Sequence, residues 1–345
     1  MLKVHGLDGT EADRLRALYR ATGIKYRHSV IPDYQGQNRQ FFPETEDLEP
    51  FPRVEQRMDW YRQHALGLAL NAIEDCVAHL PAFDITSVTH LITVSCTGMY
   101  APGLDIELVE QLSLPPHVKR IAVNYMGCYA AVNAIKLADS ICRSEQEAIV
   151  LIACVELCSL HFQKGNSKDN LLANALFSDG AGAVLQSSQP HDGLKLHPQK
   201  FYCHLVRQGK KHMAWSIGNF GFEMSLSSYV PDLIKSGVRE LLSGLLQDTG
   251  LQLSEVDYFA IHPGGKLILE EVERELDIPR VKNEFPFEVL RDYGNMSSVT
   301  ILFVLKKILD SFRNSSVEKA TILGMAFGPG LTLESMILSL SRSNH

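Results

Sequence analysis

Apolar residues recur at helical spacing over two early segments, 10–22 and 55–79. In the second, Met58, Tyr61, Ala65, Leu68, Leu70, Ile73 and Val77 mark the periodicity. Between them, Ile31–Pro52 is rich in Pro, Gln and acidic groups and reads as a surface loop. The pattern then shortens. His90–Ser95 and Lys119–Asn124 predict buried strands, and Ala148–Val155 is a continuous apolar run of the kind covered on both faces. Helices are expected at 104–112 and 129–142. The second is apolar nearly all round, from Tyr129 to Ile141, and so belongs inside the fold. Phe177–Leu185 is a glycine-rich turn into a further strand. The later chain repeats this rhythm: helix 230–248, strand Tyr258–Ile261, helix 266–276, loop 293–298, helix 299–312 and strand Ala320–Gly324. The turn Phe327–Leu333 and a last apolar strand follow. A glycine turn ahead of a terminal strand closes both halves, which predicts an α/β body made from two related βαβ units with a deep seam between them.

Composition narrows the function. At 345 residues, 45% hydrophobic and 21% charged, the chain is globular and neither disordered nor fibrous. A formal charge of −7, from 33 basic and 40 acidic residues, argues against a nucleic-acid partner. The seven cysteines are odd in number and show neither CxxC nor zinc spacing. That predicts reduced thiols in a cytoplasmic protein, with no disulfide framework and no metal. The start lacks an apolar signal region, and the longest apolar stretch, Ala148–Leu160, carries Glu156 and is too short for a membrane span.

Three positions could carry chemistry. Cys128 follows Gly127 at a strand-to-helix corner, where the positive end of a helix dipole favours thiolate; a small buried hydrophobe is the plainer alternative. His262 stands at the tip of an apolar strand in Ile261-His262-Pro263-Gly264-Gly265, where α/β enzymes place reactive groups, although many histidines are structural. Asn295, in Gly-Asn-Met-Ser-Ser at 294–298, is either a helix cap or an amide donor to an oxyanion. The turn Asp179-Gly-Ala-Gly182 lacks the spacing of a phosphate loop, and no GxSxG elbow is present.

The order of these motifs resembles the type III polyketide synthases, the chalcone synthase-like branch of the thiolase superfamily, over roughly residues 55–340. His-Pro-Gly-Gly with Gly-Asn-Met-Ser-Ser and Phe327-Gly-Pro-Gly carries the likeness, and Cys-Thr-Gly-Met-Tyr-Ala-Pro-Gly-Leu-Asp at 96–105 is closer to bacterial and fungal members. The resemblance implies a thiolase-like fold of two duplicated βαβ-type halves, residues 1–188 and 189–345, in a layered αβαβα core. It implies Cys128 as nucleophile, with His262 and Asn295 as donors to the malonyl thioester oxygen during decarboxylation. No cofactor is implied beyond acyl-CoA and malonyl-CoA as substrates. Pocket positions fall on Cys96, Thr97, Cys158, Leu160, His161, Phe177, Ser297 and Phe327, with Phe222 or Met224 as a second gate beside Phe177. Ala101 falls at a homodimer seam. Cys96 and Cys158 stand where plant members carry threonine, which favours an aliphatic starter.

The family's first strand has no match here, so the resemblance implies a shortened or misassigned start. Of the family's CoA-phosphate cations only Arg14 falls in place, with Arg16 and Arg20 beside it. Lys266, ahead of Leu267, is either a CoA contact or a solvated helix-start lysine. Two rival functions stand beside an acyl-primed synthase forming a pyrone or phenol. One is a malonyl-primed synthase of tetrahydroxynaphthalene type, the other a non-catalytic subunit that binds acyl chains or a partner.

Overall fold

A computed structural model describes residues 4–36, 39–78, 80, 82–189, 193–227, 230–247 and 249–343. Residues 1–3 and the expected helix ends at His79 and Asp248 lie outside them. Two four-stranded sheets lie in separate layers. The first has the order β2-β1-β3-β4, built from β1 (His90–Ser95), β2 (Lys119–Asn124), β3 (Ile149–Leu157) and β4 (Asp179–Ser187). Strands β1, β2 and β3 are parallel and β4 is antiparallel to β3. The second has the order β5-β10-β9-β8, from β5 (Gly193–Leu205), β8 (Tyr258–Ile261), β9 (Lys319–Gly328) and β10 (Thr332–Ser343).

Helices α4 (Ala130–Ser144) and α9 (Thr300–Arg313) fill the layer between the sheets. There they meet Ile92, Val94, Val150, Ile152 and Cys154 from one sheet and Ala260, Ile322, Ala326, Met336 and Leu338 from the other. The alternate residues of the same strands face outward. Leu91, Leu151, Ala153 and Val155 pack under α2 (Val54–Val77) and α3 (Leu104–Gln111), and Phe259, Ile261, Leu323, Met325 and Leu333 pack under α6 (Val230–Leu246) and α7 (Lys266–Leu276). Period-two side-chain alternation therefore produces five layers, αβαβα.

Several elements differ from expectation. β2 is an edge strand, exposed at Lys119, Arg120, Ala122 and Asn124, because only β1 pairs with it. Helices α5 (Lys168–Leu176) and α8 (Glu284–Tyr293), strand β5, and a separate hairpin of β6 (Met213–Gly218) and β7 (Gly221–Leu226) were not legible in the pattern. The hairpin joins neither large sheet. Helix α1 (Gly9–Ala21) precedes a stretch, residues 23–30, that hydrogen-bonds to both halves: Lys25 N–H to Arg291 O at 2.7 Å and Val30 N–H to Asp179 Oδ2 at 2.9 Å.

Candidate active site

Cys128, His262 and Asn295 line one cavity of about 400 Å³. Each is delivered by a break in regular structure. β2 ends at Asn124, the chain turns through a single 3₁₀ turn, Gly127–Tyr129, and α4 begins. Gly127 sits at φ +79°, and a side chain there would meet Pro329 Cδ at 2.3 Å, so the corner admits only glycine. His262 follows β8, its N–H bonded to Met325 O at 2.7 Å, and the Pro-Gly-Gly behind it stops the strand. Asn295 is pinned by backbone bonds to both neighbours of Phe177: its N–H donates to Leu176 O and its carbonyl accepts from Ser178 N–H, each at 2.9 Å.

The Asn295 amide has a defined orientation. Oδ1 accepts from Ser297 N–H at 2.9 Å, and Nδ2 donates to Gly264 O at 3.2 Å, beside His262. Cys128 Sγ lies 3.8 Å from Ser297 Oγ, and Ser297 and Asn295 both act to lower the thiol against the effect of burial. His262 is 1% exposed, and neither ring nitrogen has a hydrogen-bond partner. A buried imidazole without a partner, aimed into a cavity, is a donor awaiting a substrate oxygen.

Burial acts against charge on both groups. It pushes the Cys128 thiol up to about 12 and the His262 imidazole down to about 3. The thiolate expected at the helix start is therefore opposed by burial. By burial alone both groups stay neutral.

Of the expected pocket positions, Cys96, Thr97, Cys158, His161, Phe177, Ser297 and Phe327 line the cavity, and so do both Phe222 and Met224. Leu160 does not. In the 3₁₀ turn Cys158–His161 its side chain points the opposite way, into the core under α2, with no exposure. Arg14, Arg16 and Arg20 lie on the exposed face of α1, outside the cavity, and Tyr19 is the α1 residue that reaches it. Lys266 and Leu267 are exposed at the start of α7, with Lys266 over Gly23 in a neighbouring cleft. Ala101 is exposed and does not line the cavity.

Sequence reasoning missed Glu156. It has no exposure, and its carboxylate accepts from Cys96 N–H and Thr97 Oγ1, each at 2.9 Å, and from Ser298 Oγ at 2.6 Å. One side chain thus ties the end of β1 to the Asn295 loop. An acid interrupting the apolar run of β3 was the available signal, since burying a carboxylate is costly unless donors surround it. Asp179 plays a similar part, accepting from Val30 N–H, Ser159 N–H and Ser159 Oγ at 2.9, 2.7 and 2.6 Å. Trp215, Met213 and Leu226 of the hairpin also line the cavity. Among the described residues no group of three or more His, Cys, Asp or Glu is placed to hold a metal, and no helix is long and apolar enough to cross a membrane.

Comparison with known proteins gives this site a family. Residues 10–190 match the N-terminal domain of chalcone and stilbene synthases, and residues 198–341 match the C-terminal domain. The alpha-pyrone synthesis polyketide synthase-like Pks18 of Mycobacterium tuberculosis is 31% identical over 342 residues, 97% of this chain and 84% of that protein. The type III polyketide synthase C of Arabidopsis thaliana is 29% identical, over 94% of this chain and 85% of its own. The crystal structure of PKS-I from the brown alga Ectocarpus siliculosus superposes with a TM-score of 0.87 at 25% identity, covering 97% of this chain and 90% of that one. The 1,3,6,8-tetrahydroxynaphthalene synthase of Streptomyces coelicolor A3(2) gives 0.84 at 26% identity, covering 98% and 92%. The chain belongs to the chalcone and stilbene synthase family and is a type III polyketide synthase with the thiolase-like fold, an acyltransferase.

Proposed function

We propose that the protein loads an aliphatic acyl-CoA onto Cys128, extends it with malonyl-CoA and releases an α-pyrone or phenol. The observation that carries this is the convergence of the Cys128 thiol, the Asn295 amide and the unpartnered His262 ring on one cavity. In the first step the Cys128 proton passes to His262, sulfur attacks the acyl carbonyl, and the proton leaves with CoA thiol. Malonyl-CoA then loses its carboxylate as CO₂. The bonding pair becomes an enolate whose oxygen is held by His262 and the Asn295 amide, and the enolate carbon attacks the Cys128 thioester and expels the thiolate. The lengthened chain, now on CoA, returns to Cys128 for another round. Thioesters supply all the reacting groups, so a resident cofactor has no part in the sequence.

Phe162, Met213, Trp215, Phe222, Met224, Leu226, Ile268 and Phe327 give the cavity an apolar wall, which supports an aliphatic starter; the name of the Mycobacterium relative supports a pyrone. Residues 1–188 supply the nucleophile and residues 189–345 the two donors. The bare edge of β2, flanked by exposed Met99, Ala101 and Tyr125, supports a homodimer through this side. Lys266 supports a CoA-phosphate contact at the neighbouring cleft, and the seven free thiols support a cytoplasmic setting. Incubation with malonyl-CoA and saturated acyl-CoA starters of graded length tests this function. Pyrones or phenols carrying the starter chain are expected. A naphthalene-type product from malonyl-CoA alone would replace the aliphatic-starter assignment, and no product from any mixture would overturn the synthase.

A further inference from the structure

The β6–β7 hairpin lines the cavity but belongs to neither large sheet; beside one backbone bond at its tip, Val54 N–H to Asn219 O at 3.0 Å, side-chain contacts tie it down. The central one is His161. Its Nε2 lies 2.7 Å from the Thr97 carbonyl, which can only accept, so Nε2 carries the proton. Its Nδ1 then accepts the Phe222 N–H at 3.0 Å. Both partners are backbone groups, so one neutral tautomer satisfies the site, and burial holds the ring uncharged, down to about 3. The same ring stacks on Phe222 at 4.0 Å and 8°, and Phe222 stacks on Trp215 at 4.9 Å and 17°. Gly221 allows this approach, since a side chain there would come within 2.9 Å of His161 Nδ1. Behind the ring, the buried Arg57 guanidinium donates to the carbonyls of Leu160 and Phe162, the two neighbours of His161.

Resting on the synthase function above, we propose that His161 is a positioning residue: its two backbone hydrogen bonds set the hairpin's place and so fix the Phe222–Trp215 wall that limits the length of acyl chain accepted. The ring also fills space, so the test must separate volume from hydrogen bonding. His161→Phe keeps ring, stack and approximate volume but loses both bonds. His161→Gln restores a donor and an acceptor without the ring.

Wild type and variants are supplied with malonyl-CoA and starters from hexanoyl- to palmitoyl-CoA, and product chain lengths are read by mass spectrometry. In a Trp60→Phe background, Trp215 is the only tryptophan and its emission reports on the stack. His161→Phe is expected to change the ratio of long to short starter use roughly tenfold, the scale of a pocket contact, and to shift Trp215 emission to the red; His161→Gln is expected to return the ratio toward wild type. Phe222→Leu, which leaves both His161 bonds in place, is a second arm and is expected to shift emission even if His161→Phe does not accumulate folded. An unchanged ratio and emission in His161→Phe, or unchanged emission in Phe222→Leu, overturns the inference. Wild-type enzyme making no product from any starter would instead overturn the synthase itself.

Discussion

Ser298 donates its hydroxyl proton to the wholly buried Glu156 carboxylate at 2.6 Å, joining the loop that carries Asn295 to the sheet that leads to Cys128. The bond crosses between the two halves of the chain, and the same carboxylate holds Cys96 and Thr97 on the cavity wall. Removing it strands three buried donors. Glu156→Ala is therefore expected to lose at least about 3 kcal/mol of stability, given the cost of unsatisfied buried groups, and to lower product formation further through displacement of Asn295. Chemical denaturation and steady-state assays check this; wild-type stability would contradict it.

His262 is expected to govern how readily Cys128 ionises. With the imidazole removed, the thiol loses the proton acceptor proposed for it, while burial still pushes it up. The iodoacetamide rate of His262→Ala should then climb with pH through 6–9 without a plateau, and at neutral pH fall roughly tenfold or more below wild type, the factor one pH unit represents. Equal rates in the two proteins would show that the imidazole takes no part in charging the thiol.

Asn295 is expected to separate loading from extension. Because Gly264 O takes one amide hydrogen and Oδ1 is occupied by Ser297 N–H, the amide cannot turn. Asn295→Ala should keep acyl loading on Cys128 but lower CO₂ release from malonyl-CoA by about 10²-fold or more, the loss seen for one oxyanion donor. Radiolabelled malonyl-CoA gives the measurement, and unimpaired decarboxylation contradicts the role.

Asp179 sets a pH dependence of stability. Burial raises its carboxyl from 3.8 to about 6, against four hydrogen bonds that act the other way. The folded state then binds a proton more tightly than the unfolded chain, so this group's contribution is complete below about pH 4 and is lost as pH rises to about 6. The fall is up to about 3 kcal/mol, since each tenfold gain in proton affinity on folding is worth about 1.4 kcal/mol. Denaturation of wild type and Asp179→Asn across pH 4–7 should show that decline in wild type alone; parallel curves would contradict it.

The parts of this site legible in the sequence were those marked by chain geometry. Gly127 before Cys128 and Pro-Gly-Gly after His262 end their elements so sharply that the residue at each tip can be named without coordinates. What was hidden depends on partners distant in sequence. Glu156 reads as an interruption of a strand until Ser298, 142 residues away, is seen beside it. The hairpin 213–226 does alternate, with Met213, Trp215 and Ile217 on one strand and Phe222, Met224 and Leu226 on the other, but that face, Ile217 apart, lines the cavity and the contacts that hold it come from His161 and Gln163, about 60 residues earlier in the chain. In β2, half-buried Ile121 and Val123 alternate with exposed Arg120, Ala122 and Asn124, the pattern of a strand covered on one face, which its apolar character masked. Leu160 was misplaced because a 3₁₀ turn sends neighbouring side chains to different sides.

A transient covalent bond between sulfur and substrate underlies every step proposed above, so intact-protein and peptide mass spectrometry after brief exposure to octanoyl-CoA probes it most directly. One octanoyl group per chain, mapped to Cys128, absent from Cys128→Ala and discharged by malonyl-CoA, is the expected result. An adduct at Cys96 or Cys158 instead, or none on a protein that still makes product, would contradict the account.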